Sequence, residues 1–128
     1  MKAMVVDDSR AMRTLLRNLL QASGVEVVAE AGDGKAGLER LRTAGPIDLV
    51  LVDWNMPEMD GRAVLERMRA DEAFADLPIM MVTTESEMEQ VEVALNAGAS
   101  EYLMKPFDRQ ALLEKLLLLG FDPERRAA

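Results

Sequence analysis

The chain is 128 residues long, the size of one domain, and contains neither cysteine nor histidine. That excludes disulfides, thiolate nucleophiles, zinc–thiolate sites and imidazole bases, and leaves carboxylates, hydroxyls, lysine and backbone to do any chemistry. A net charge of −8 argues against nucleic acid as a partner, and no run approaches the ~18 apolar residues of a membrane span; with two acids at Asp7-Asp8 there is no signal peptide either, so a cytoplasmic protein without membrane insertion is expected.

In chain order the pattern alternates between two periods. Ala3 to Val6 is a short apolar, β-branched run. From Ser9 onward Met12, Leu15, Leu16, Leu19 and Leu20 share one helical face, with Arg10, Arg13 and Arg17 off it. Ser9 can cap this helix and Gly24 can end it. Val25 to Ala31 reads as a strand, and Gly32-Asp33-Gly34 as a turn. Leu38 and Leu41 mark a short helix stopping at Gly45-Pro46. Ile47 to Trp54 is apolar without alternation, as in a central parallel strand covered on both faces. A loop from Asn55 to Gly61 precedes a helix carrying Ala63, Val64, Leu65 and Met68. Leu77 to Thr84 is another buried strand. Ser86-x-x-Glu89 is a capping box opening a helix through Val91, Ala94 and Leu95, closed by Gly98. Ser100 to Lys105 is a fifth strand, and Arg109 to Leu119 a last helix.

Five strand–helix units in alternation predict an α/β fold, a single doubly wound (βα)5 domain with a five-stranded parallel sheet and right-handed crossovers. Residues 1–121 are assigned to it. The remaining 122–128 are expected to form a short tail, with no output domain.

In such sheets ligands bind beyond the carboxyl ends of the strands, where strand order reverses. The strand ends here carry Asp7-Asp8, Asp53, Thr83-Thr84 and Lys105-Pro106. Three carboxylates converging on one mouth cannot all ionise comfortably unless a cation joins them. An all-oxygen donor set suits Mg²⁺ or Mn²⁺. The first strand–helix turn, Asp7-Asp8-Ser9-Arg10, is no glycine-rich phosphate cradle. A carboxylate beside a bound divalent cation can attack phosphorus and form an acyl phosphate, with Lys105 and Thr83 meeting the phosphoryl oxygens.

Four segments carry a resemblance: Val5 to Arg13 (VVDDSRAMR), Val52 to Gly61 (VDWNMPEMDG), Met80 to Glu85 (MMVTTE) and Asn96 to Phe107 (NAGASEYLMKPF). In this order and spacing the chain resembles the receiver domains of two-component response regulators, most closely the stand-alone chemotaxis type. The resemblance implies a flavodoxin-like sheet of strand order 2-1-3-4-5. It implies Asp53 as phosphoacceptor, Asp8 as a direct ligand of Mg²⁺ and Asp7 as a ligand mostly through water. Asp53 and the backbone carbonyl of Asn55 complete the protein ligands. It further implies that Thr83 and Lys105 contact the phosphoryl group, that the Lys105–Pro106 bond is cis, and that the rotamer of Tyr102 follows Thr83. The resemblance also implies that Asn55 and Glu85 flank the path of an attacking water and so tune dephosphorylation.

The implied protein assists its own phosphorylation and dephosphorylation rather than acting as an enzyme on others. A sensor histidine kinase donates the phosphoryl group. A downstream target binds the face made by the fourth helix, fifth strand and fifth helix, in chemotaxis-type signalling or, alternatively, in a phosphorelay shuttle. On that face Lys115 matches the chemotaxis pattern, whereas Glu87, Met88 and Glu89 stand where lysines are usual, making the face more acidic and more apolar. Two other classes share the sheet. A haloacid dehalogenase-type phosphatase wants its two acids one residue apart and a cap domain. A flavin carrier wants a Ser/Thr/Gly-rich first loop, and Asp7-Asp8 would repel its phosphate.

Overall fold

A computed structural model describes residues 1–84 and 89–121. Strands β1 (Lys2–Val6), β2 (Glu26–Ala31), β3 (Leu49–Asp53), β4 (Ile79–Thr84) and β5 (Glu101–Lys105) alternate with helices α1 (Arg10–Ala22), α2 (Gly34–Thr43), α3 (Gly61–Ala70), α4 (Glu89–Asn96) and α5 (Arg109–Leu118). The strands form one parallel sheet in the order β2-β1-β3-β4-β5, which is the order the resemblance implies. The capping box at Ser86, the residues Glu85, Glu87 and Met88, and the tail 122–128 lie outside the described residues.

Strand alternation divides the interior into two layers. Met4, Val6, Val50, Val52 and Met81 face Leu41, Val64, Leu65, Met68 and Ala94 of α2, α3 and α4. Ala3, Val5, Leu49, Leu51, Met80 and Val82 face Leu16, Leu20, Leu112 and Leu116 of α1 and α5. All five residues of β3 are buried, which is why the sequence around it shows no alternation. Side-chain caps start four of the helices: Ser9, Asp33, Asp60 and Asp108 each accept a hydrogen bond from a backbone N–H three residues on. Among the described residues no helix is long and apolar enough to cross a membrane.

The structure departs from the sequence reading at the margins. Strand β4 begins at Ile79, two residues later than expected, because Pro78 has no N–H to give a ladder; its carbonyl accepts from Val50 instead. A single 3-10 turn at Glu72–Phe74, capped by Asp71, fills the α3–β4 connection. The expected apolar faces of α1 and α4 are wider than the surfaces they bury. Leu16, Leu20 and Ala94 point inward, whereas Leu15 and Leu95 stay exposed at the flanks.

Candidate functional site

Strands β1 and β3 are neighbours, and the chain leaves β1 toward β2 on one side and β3 toward β4 on the other. The crevice therefore opens at their carboxyl ends. Asp7 follows β1 and Asp53 ends β3; both are buried, at 1% and 5% exposure, while Asp8 is exposed. Their carboxylate oxygens lie within 4.8 Å of one another.

Each acid is held differently. Asp7 Oδ1 accepts the Ser9 N–H at 2.8 Å, and the Asp7 N–H donates to the Ala31 carbonyl of β2 at 3.0 Å. Asp53 Oδ1 accepts the Asn55 N–H at 3.4 Å and the Lys105 ammonium at 3.3 Å. Lys105 reaches across from β5 and also sits 3.9 Å from Asp7 Oδ2, too far for a hydrogen bond. Asp7 Oδ2 is buried and accepts no hydrogen bond among the described residues. The bond between Lys105 and Pro106 is cis, as the resemblance implies.

One ammonium thus faces two buried carboxylates. Burial pushes the Asp53 carboxyl up from 3.8 to about 6; the negative charge of Asp7 adds to the rise, and Lys105 and the Asn55 N–H oppose it. Burial likewise raises Asp7, against the Ser9 N–H and Lys105. An orphaned buried carboxylate oxygen, a set of purely oxygen donors and excess negative charge fit a small divalent cation. Asp7, Asp8 and Asp53 are the residues that would hold such an ion.

Thr83, 3% exposed, lies one residue beyond the partner of Asp53 in the β3–β4 register. Among the described residues its hydroxyl makes a long contact, 3.5 Å, to the Thr84 carbonyl. Tyr102 of β5 lines a small recess together with Thr83, Trp54, Met81 and Ala94. Its ring is covered by the Lys115 ammonium, 3.9 Å from the centroid, and that ammonium also bonds Glu101 at 3.1 Å. Asn55 is exposed two residues after Asp53. The structure therefore brings together Asp7, Asp8, Asp53 and Lys105, with Thr83, Asn55 and Tyr102 around them; Glu85 lies outside the described residues.

Sequence reading passed over two groups. Arg13, placed only as off the apolar face of α1, turns back to donate through Nη1 to the Asp7 carbonyl at 2.7 Å, and its Nε faces Glu30 at 3.4 Å. The Lys115–Glu101 pair against Tyr102 joins α5 to β5, fourteen residues apart in sequence. The signal for Arg13 was weak: an arginine one helical turn beyond a capped turn of acids is within reach of it, but the same spacing serves an ordinary solvated arginine.

Residues 3–117 match the family described as response regulator receiver domain. The chemotaxis protein CheY1 of Helicobacter pylori is 44% identical over 121 residues, covering 94% of this chain and 98% of that protein. A chemotaxis protein CheY homolog of Campylobacter jejuni is 42% identical over 116 residues, 91% of this chain and 89% of that one. Among solved structures, the chemotaxis protein CheY4 of Vibrio cholerae superposes with a TM-score of 0.82 at 34% identity, covering 91% of this chain and 95% of that chain. The receiver domain of NtrX from Brucella abortus gives 0.81 at 26% identity, over 94% and 99%. With its acid pocket at the β1–β3 crevice and this match along nearly its whole described length, the chain belongs to the response regulator receiver domain family.

Proposed function

We propose that Asp53 is the phosphoacceptor of a chemotaxis-type signalling regulator, and that Asp7, Asp8, Asp53 and the Asn55 carbonyl hold the Mg²⁺ ion this chemistry uses. Regulators of this family take their phosphoryl group from kinases and act on downstream targets. The observation that carries the reading is the pairing of Asp53 with Lys105 at 3.3 Å in a crevice where a second buried acid, Asp7, accepts no hydrogen bond on Oδ2 among the described residues.

In the proposed reaction an Asp53 carboxylate oxygen bonds the phosphorus of the donor. The donor's bond to phosphorus, P–N for a phosphohistidine, breaks and its electron pair leaves with the histidine. The bound cation supplies charge neutralisation for the phosphoryl oxygens. Lys105 offsets further charge from the β5 side, and the Thr83 hydroxyl, weakly engaged with Thr84, is placed to donate a hydrogen bond. Drawing Thr83 toward the phosphoryl group enlarges the recess it shares with Tyr102. Tyr102 then turns inward, which alters the face of α4, β5 and α5 that a target binds in the cytoplasm.

The chemotaxis reading is supported by the relatives at 42–44% identity, which carry that name. The phosphorelay alternative has no comparable support. The test is phosphate incorporation from phosphoramidate with Mg²⁺, comparing the wild type with Asp53→Asn. The proposal expects label in the wild type alone, and label at wild-type level in the variant would move the nucleophile elsewhere.

A further inference from the structure

We infer that Arg13 is a positioning residue for the acidic pocket: it holds the peptide between Asp7 and Asp8 so that the exposed Asp8 carboxylate faces the cation shared with Asp7 and Asp53. The inference rests on the proposed reading of that pocket as a divalent-cation site.

Arg13 sits near the start of α1 and its guanidinium works in two directions. Nη1 grips the Asp7 carbonyl at 2.7 Å, while Nε lies 3.4 Å from Glu30 Oε1 on β2. Glu30 is itself paired with Arg17, one helical turn further along α1. On the far side, a Cβ added to Gly32 would come within 3.4 Å of Arg13 Nη1, so the turn after β2 closes over the guanidinium. The group is therefore anchored on β2 and grips the end of β1.

The Asp7 carbonyl belongs to the same rigid peptide plane as the Asp8 N–H. Asp7 is independently fastened by its own N–H to Ala31 and by the Ser9 N–H on its Oδ1. Asp8 makes no side-chain hydrogen bond or ion pair among the described residues, so its carboxylate goes where the backbone sends it. Fixing that peptide plane is what gives an exposed acid a defined direction. Two different guanidinium nitrogens meet the carbonyl and the carboxylate, an arrangement that the single nitrogen of a lysine does not reproduce.

The sign of the effect separates positioning from charge. As a nearby cation Arg13 repels Mg²⁺, so charge alone predicts tighter binding once it is removed. Positioning predicts weaker binding. Mg²⁺ alone is titrated into the metal-free full-length chain, followed by emission of Trp54, the one tryptophan and the neighbour of Asp53, and by calorimetry. Arg13→Ala is expected to weaken binding about tenfold, the effect usual for a group that orients a metal ligand. Arg13→Lys, which keeps the charge, is expected to weaken it as well, and it carries the same comparison if the alanine variant does not fold. Arg17→Ala removes the other partner of Glu30, and no contact to the Asp7–Asp8 peptide among the described residues, and should stay within about twofold of wild type. Adding Arg13→Ala to Asp8→Asn should weaken binding no further than Asp8→Asn does, since both remove the same ligand. In the metal-free Arg13→Ala protein the Ser9 amide, which bonds Asp7 Oδ1, should exchange faster while those of β4 do not, a local signature that general destabilisation would not give. Equal or tighter Mg²⁺ binding by Arg13→Ala, or losses that add in the double variant, would overturn the inference. A wild type that shows no saturable Mg²⁺ binding would overturn the metal reading itself, and this inference with it.

Discussion

Replacing Asp53 with asparagine should stabilise the metal-free protein, because the native state holds this carboxylate charged at a cost. The carboxyl rises from 3.8 in an ordinary setting to about 6 in the fold, so the folded chain binds protons more tightly than the unfolded one. Between those two values the native state carries more protons, and stability falls as pH rises through the window. Above pH ~7 the cost has reached its plateau of about 3 kcal/mol, from ~1.4 kcal/mol for each of roughly two pH units. Near pH ~4.5 it is only about 1 kcal/mol by the same linkage. Asparagine has nearly the same shape and cannot ionise. Asp53→Asn should therefore exceed the wild type by about 3 kcal/mol at pH ~7.5 and by about 1 kcal/mol at pH ~4.5. For a chain this long the larger gap corresponds to roughly 10 °C in Tm. The assay is urea unfolding in the presence of a chelator, read by Trp54 emission and far-ultraviolet circular dichroism at several pH values. If Mg²⁺ binds the wild-type pocket as proposed, adding it should narrow the gap, by about 2.7 kcal/mol at a hundred times Kd. A variant no more stable than the wild type, or a gap that does not shrink on acidification, would refute the claim that burial and the neighbouring Asp7 charge load this site.

Three other outcomes follow from particular contacts. Lys105→Met should act in the opposite sense, lowering metal-free stability at neutral pH by about 1–3 kcal/mol, because it removes the ammonium beside Asp53 and Asp7; urea midpoints above and below the Asp53 value of about 6 would show the loss confined to the higher pH. Glu58 holds φ at +66°, so Glu58→Gly should stabilise the loop by up to about 1 kcal/mol less the added freedom of the unfolded chain, and a lower urea midpoint would contradict this. Asn55→Lys should lengthen the lifetime of the phosphorylated protein, because a cation beside Asp53 can pair with phosphoryl oxygens and obstruct water; phosphoprotein decay after donor removal, unchanged from wild type, would count against it.

How much was legible beforehand depended on whether one strand or helix carried the information by itself. Strand β3 announced itself because both its faces are covered and its apolar run is unbroken. Asp7, Asp53, Thr83 and Lys105 were legible because a parallel sheet brings every strand's carboxyl end to one edge. What stayed hidden lay in side chains that bend between elements. Arg13 shares the polar side of α1 with Arg10 and Arg17, and only the path of its stem distinguishes it from Arg10, which is exposed. Arg69 likewise bonds the carbonyls of Gly98 and Phe74, tying the end of α3 to two connections that no local pattern links. The run Leu116 to Leu119 is apolar all round, so periodicity could not tell that Leu116 is buried while Leu118 is 70% exposed.

Whether Asp53 takes the phosphoryl group is tested by mapping the modified residue. The wild-type chain is incubated with phosphoramidate and Mg²⁺, and the acyl phosphate is reduced with borohydride, which converts a phosphorylated aspartate to homoserine. Peptide sequencing by mass spectrometry then locates the change. Homoserine is expected at position 53, dependent on Mg²⁺ and absent when the metal is chelated. Homoserine at position 7 or 8, or at none of the three acids while the protein incorporates phosphate, would contradict it.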